Sequence, residues 1–146
     1  QQPAQLGADR WAALIGARHL HPADCLVVMC GTATTIDLLT ADGRFQGGLI
    51  LPGLDLMREA LAHGTAQLSA AMGAYAVPPR NTLDAIATGG IEATIGAIER
   101  MFGRLECDPL CLISGGAAAE VVPHLTIGHR PITNLVLEGL AKIASS

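Results

Sequence analysis

The sequence predicts an α/β domain built on one mixed sheet, and three observations carry that expectation. Three short strand-like runs follow one another between residues 25 and 51, the last two joined by an Asp-Gly turn signal. Beyond them, helical periodicity alternates with short apolar runs. Half of the 146 residues are hydrophobic but only 3% are aromatic, so the core must be aliphatic, from Leu, Ile, Val and Ala. A chain of this length makes one domain with a real interior.

The elements follow in order. Residues 9–18 (DRWAALIGAR) read as a short helix, with Asp9 near its start and Arg18 near its end, as the helix dipole favours. "CLVVMC" (25–30) is a continuous apolar run, hence a buried strand. "TATTIDLLT" (32–40) is a Thr-rich strand with partial alternation, and "RFQGGLIL" (44–51) returns after "ADGR" to complete an antiparallel meander. Residues 54–64 (LDLMREALAHG) carry Leu54, Met57 and Leu61 at helical spacing, with Gly64 as the closing residue. Residues 73–80 are a loop. Residues 81–104 hold the longest helical pattern, opened by Asn81 with Asp84 three positions on, close to a capping box. Gly89, Gly90 and Gly96 inside that helix each cost about 1 kcal/mol against Ala. Close packing on the sheet or on another chain is expected to compensate. "PLCLIS" (109–114) is a second buried strand ended by Gly115 and Gly116. A short helix (117–125), a last short strand "LTIGH" (125–129) and an amphipathic helix (133–144) complete the chain.

Composition narrows the function. A net charge of −4 argues against a nucleic-acid partner, which wants a basic face. No apolar run approaches the roughly 20 residues that span a bilayer, and no secretory signal opens the chain, so a cytoplasmic protein away from membranes is expected. Cys25, Cys30, Cys107 and Cys111 form no CxxC pair and read as reduced, buried thiols. The five His lack metal-ligand spacing, so no metal centre is expected.

Some stretches can carry chemistry. In "CGTATTID" (30–37), Gly31 and Thr32 sit at a turn between strands, where exposed N–H groups and hydroxyls suit a phosphate; a Thr-rich edge hairpin has the same pattern. In "ISGGAA" (113–118), Gly115 and Gly116 let backbone approach a ligand where a strand gives way to a helix, although a plain turn also uses them. Neither is a Rossmann fingerprint or a P-loop. Thr82 at a helix start reads first as a cap. Asp9 and Arg10 read either as a helix-start ion pair or as a proton acceptor beside an anion grip.

In order along the chain, "LGADRWAA", "GTATTID", "GGLILPGLDLMREAL", "NTLDAIATG", "ISGGAA" and "NLVLEGL" resemble the successive motifs of the type III pantothenate kinases, the Bvg accessory factor family. The resemblance implies one lobe of the actin-like (ASKHA) kinase fold. It implies ATP-dependent phosphorylation of pantothenate to 4'-phosphopantothenate, the first step of coenzyme A synthesis, with Mg²⁺ carried by the nucleotide. Gly7, Ala8, Asp9 and Arg10 fall on the family's substrate stretch. Asp9 matches the proton acceptor, Arg10 would face the substrate carboxylate, and Thr82 matches a second substrate contact. Gly31 and Thr32 match the ATP contact, and Gly115 and Gly116 would lie beside the adenosine. The family forms homodimers with the substrate site near the interface, for which the 81–104 helix is the candidate. Residues 1–24 would be the inter-lobe helix and substrate stretch, and 25–146 the mixed-sheet lobe.

Two departures accompany the resemblance. Met29 stands where the family often has an Asp serving a monovalent cation, which puts K⁺ or NH₄⁺ dependence in doubt. The family's amino-terminal lobe, with its Asp-x-Gly-Asn phosphate loop, is not among these residues, so the chain alone is expected to be inactive. A non-catalytic regulatory or binding domain that keeps the kinase fold is the alternative.

Overall fold

The computed structural model describes residues 6–62 and 72–146. In chain order the elements are α1 (Ala8–Leu20), β1 (Cys25–Cys30), β2 (Ala33–Leu39), β3 (Phe45–Pro52), α2 (Leu54–Ala62), α3 (Thr82–Phe102), β4 (Leu110–Ser114), α4 (Ala118–Val121), β5 (His129–Pro131) and α5 (Leu135–Ala144). The strands form one five-stranded sheet in the order β3-β2-β1-β4-β5. The meander is antiparallel, while β4 pairs parallel to β1 and β5 parallel to β4.

Alternation along the strands gives the sheet two apolar faces, each covered by helices. Leu26, Val28, Cys30, Ile36 and Leu38 face α2, α3 and α4, where Leu54, Ile91, Ile95, Ile98 and Val121 close over them. Cys25, Val27 and Leu39 face the other way, against Ala13, Leu14 and Ala17 of α1 and Leu135 of α5. Helix α1 is therefore part of the core.

Several expectations shift by local chemistry. The last strand lies at His129–Pro131 rather than 125–129. Its register is set by β4, with Cys111 opposite His129, and Gly128 supplies the carbonyl that Cys111 N–H needs. Leu125 and Ile127 pack into the core from irregular backbone instead. The helix expected at 117–125 ends after one turn in a 3-10 segment, Val122–His124, because Pro123 has no N–H to continue it. Asn81 caps α3 by accepting from Asp84 N–H, but the Asp84 carboxylate turns outward to Asn81 Nδ2 and Ala74 N–H. The closing role given to Gly64 lies outside the described residues. Cys25, Cys30 and Cys111 are buried, and burial pushes their thiols to about 11, about 12 and about 12, so they stay protonated. Cys107 departs from the expectation and is exposed. The glycines of α3 depart too: a methyl on Gly89 or Gly96 would meet nothing within 4 Å, and one on Gly90 would make only ordinary contacts with Leu54 and Met57. Among the described residues no close packing compensates them.

Asp24 ties off the amino-terminal end of β1. Only 6% exposed, it accepts the N–H groups of Ala41, Glu106 and Cys107, which come from the β2–β3 hairpin and the α3–β4 loop. Burial alone would raise its pKa, but those backbone donors and the nearby Arg18 charge outweigh burial and hold it below the ordinary value. A depressed carboxylate stabilises the fold above its unfolded pKa, about 3.9, and that contribution is lost as pH falls through the folded value. Asp24→Ala strands these donors and is expected to cost about 2 kcal/mol at neutral pH. Urea titrations of both proteins should converge as pH is lowered below about 4; a constant gap would reject the assignment.

Candidate functional site

The parallel pair β1 and β4 marks the switch point of the sheet. From β1 the chain moves outward through β2 and β3 on one side, then returns to build β4 and β5 on the other. In open α/β sheets ligands bind in the crevice outside the carboxyl ends of such a pair. Those ends carry the glycines predicted as the nucleotide contact. Gly31 and Thr32 follow β1, and Gly115 and Gly116 follow β4, whose Ser114 stands beside Met29. Ala117 N–H donates to Cys30 O at 3.0 Å and locks the two turns together. Gly115 has φ +106°, and a Cβ there would lie 2.3 Å from Cys30 O, so only glycine fits. A Cβ on Gly116 would meet nothing, which leaves open space above the turn. The start of α2 joins the cluster through Gly53 N–H, which donates to Thr32 O at 2.9 Å.

One detail of the phosphate expectation changes. Gly31 N–H is spent on Ala33 O at 3.1 Å, so it is not an open donor. Thr32 is exposed, and its hydroxyl bonds no described residue.

Helix α1 begins toward the same end, with Asp9 and Arg10 in its first turn. Its 13 residues span about 20 Å, as do the six of β1, and a four-residue link joins the bottom of one to the bottom of the other. The helix thus runs back beside β1 and starts near that strand's carboxyl end. Gly7 opens it without a side-chain cap; Gly7 and Ala8 are exposed beside Asp9, which is exposed with no ion pair to a described residue. Arg10 turns inward. Its Nε donates to Asp37 Oδ2 at 3.1 Å, its Nη2 donates to Asp37 Oδ1, and its Cζ lies 5.9 Å from the Phe45 ring centre. The hydrogen bond to Asp37 raises the Arg10 pKa, partial burial opposes it, and the Asp37 charge adds to the rise. The adjacent ion pair Asp9–Arg10 does not form, because neighbours on a helix point about 100° apart.

Thr82 begins α3 on the opposite face of the sheet. It is exposed, and Asn81 does the capping that Thr82 was first read to do. The carboxyl end of α3 leads to the donors that meet Asp24, so its amino end, like that of α1, lies toward the carboxyl ends of β1 and β4. The fold therefore gathers Gly31, Thr32, Gly115 and Gly116 at one end of the sheet, starts α1 with the exposed Asp9 on one face, turns the Arg10 guanidinium to Asp37, level with Val27 of β1, and leaves Thr82 across the sheet from them.

Sequence reasoning missed Asp37, Gly48 and Thr35. Asp37 is 1% exposed in the middle of β2, and a carboxylate so placed must find a partner. An Asp inside the strand-forming run "TATTIDLLT" was the available signal. Thr35 Oγ1, on the same face two residues earlier, is buried without a partner among the described residues. It stands opposite Met29, which points to that face too. A thioether is a poor ligand for a hard cation, so a monovalent cation here would have to rest on backbone oxygens and the Thr35 hydroxyl. Separately, α1, β3 and α5 frame a groove of about 1180 Å³ lined by Trp11, Ile15, Phe45 and Lys142 among others; of the predicted site residues only Arg10 reaches it. Among the described residues no cluster of His, Cys, Asp and Glu could hold a metal, and no helix is long and apolar enough to cross a membrane.

Known proteins were compared with this arrangement. The family model described as type III pantothenate kinase matches residues 1–104. A type III pantothenate kinase of Aromatoleum aromaticum is 60% identical over 97% of the chain, which covers 60% of that protein. A solved structure from Campylobacter jejuni, described as a Baf family transcriptional activator, superposes with a TM-score of 0.72 at 24% identity, over 99% of this chain and 66% of that one. Another from Sinorhizobium meliloti, described as a 2-dehydro-3-deoxygalactonokinase, gives 0.56 at 18% identity, over 91% of this chain and 57% of that one. These likenesses show a shared fold, the mixed five-stranded sheet with helices on both faces. The chain spans about three-fifths of the length of the curated relatives it matches.

Proposed function

Because this chain belongs to the type III pantothenate kinase family, we propose that the protein carrying it transfers the γ-phosphoryl group of ATP to the primary hydroxyl of pantothenate. Such a protein acts in the cytoplasm, at the entry to coenzyme A synthesis. The observation that supports the reading is the locked pair of glycine turns at the switch point.

Each residue then has a task. The Thr32 hydroxyl donates to a phosphate oxygen, and the bare backbone at Gly115 and Gly116 accommodates the adenosine. Asp9 orients the pantothenate hydroxyl and accepts its proton late, as suits a loose phosphoryl-transfer transition state. Arg10 holds the substrate carboxylate, with Gly7 and Ala8 forming the backbone beside it. Magnesium arrives with the nucleotide and, when bound, neutralises phosphate charge.

Thr82 completes the substrate site from a second copy, because its own sheet stands between it and Asp9. A homodimer seated on the exposed glycine-bearing side of α3 would supply it. The assay is direct: the protein at the full length of its relatives, given ATP and pantothenate, should form phosphopantothenate at equal rates in K⁺ and Na⁺ buffers. Absence of product in both rejects the function, and strict need for K⁺ rejects the reading of Met29. Mixing inactive Asp9→Asn and Thr82→Val proteins under subunit exchange should recover up to about a quarter of the activity if the site is shared between copies. No recovery would place Thr82 outside a shared site.

A further inference from the structure

A guanidinium has two edges that can grip a carboxylate, Nε with Nη2 and Nη1 with Nη2. In this chain the first edge is taken. Arg10 Nε and Nη2 hold the two oxygens of Asp37, while Nη1 bonds no described residue. The Phe45 ring lies 5.9 Å from Cζ, so a carboxylate and an aromatic ring together fix the side chain. Asp37 is itself buried, 1% exposed in a central segment of β2 between Val27 of β1 and Gly48 of β3.

Gly48 makes the arrangement possible. A Cβ there would lie 2.0 Å from Asp37 Oδ1 and 2.5 Å from Ile36 O. Any other residue would push the carboxylate out of the place where it meets Arg10. The side chain of Arg10 is still 18% exposed and reaches the groove beside α1, so the pairing does not seal it away.

We propose that Asp37 is a positioning residue that locks Arg10 by one edge and presents the Nη1–Nη2 edge to the carboxylate of pantothenate, with Gly48 supplying the space the lock needs. This rests on the reading that Arg10 grips that carboxylate. An unanchored Arg must surrender its rotamer freedom on binding, whereas an anchored one has already done so.

The test uses the protein at the full length of its relatives. Asp37→Asn keeps the shape but removes the charge and one acceptor. It is expected to raise the KM for pantothenate about tenfold, leaving the KM for ATP unchanged and kcat within about threefold. The KM for ATP is the control, because general loosening of the fold would raise both KM values. Arg10→Ala should show the same pattern more strongly. If Arg10→Ala raises the pantothenate KM and a folded Asp37→Asn does not, the lock is wrong and the role of Arg10 stands. If Arg10→Ala leaves it unchanged, the carboxylate grip falls and the lock with it. Should Asp37→Asn fail to fold, Phe45→Leu decides: a rise of about threefold in the same KM alone supports the lock, and no change overturns it.

Discussion

Replacing Gly139 by alanine is expected to destabilise the chain by about 3 kcal/mol or more, a fall in melting temperature of roughly 10 °C. The reason lies where α5 crosses α1. A Cβ on Gly139 would stand 1.8 Å from the Ala12 carbonyl oxygen, and one on Gly16 would stand 2.6 Å from the Leu135 carbonyl oxygen. Each obstacle is backbone, so no side chain can rotate aside. The two helices would have to separate, pulling Leu135 away from Ala13, Leu14 and Ala17 on that face of the sheet. Interiors are packed too densely to absorb such a shift. Thermal unfolding followed by circular dichroism checks this; a change below about 1 kcal/mol would mean that the helices cross with more slack than the structure has. The damage should also reach chemistry, because α1 carries Asp9 and Arg10 in its first turn.

Asp9→Asn is expected to lower kcat for pantothenate phosphorylation by about 10²- to 10⁴-fold in the protein at the full length of its relatives. Asparagine has nearly the same shape and can still orient a hydroxyl, but it cannot accept a proton at the reacting oxygen. The loss should therefore fall on kcat with little change in either KM. Stability should scarcely move, because Asp9 is exposed and has no ion pair with a described residue. A kcat reduced less than tenfold would remove Asp9 from the role of base and leave it at most a helix-start charge.

Much of the fold could be read in advance because its elements announce themselves locally. "CLVVMC" is apolar throughout, as a strand covered on both faces must be, and β1 is buried accordingly. The Asp-Gly turn gave the hairpin between β2 and β3. What resisted reading was set by distant partners. The last strand took its place from the register of β4, which no local pattern in "LTIGH" encodes. Gly48 and Gly139 look like any other glycine until Asp37 and Ala12 are brought against them. For the site the same division holds. Gly31, Thr32, Gly115 and Gly116 follow strands and could be placed at their ends. Arg10 was singled out from the sequence, but its partner lies 27 residues away on another element.

The knot around Asp24 has a mechanical meaning. One carboxylate holds the hairpin and the loop after α3 to the foot of the central strand, at the rim farthest from the glycine turns. That rim is stapled shut. Loss of that one side chain would therefore free two loops at once, while the turns that follow β1 and β4, joined through backbone alone, would keep their hold on each other.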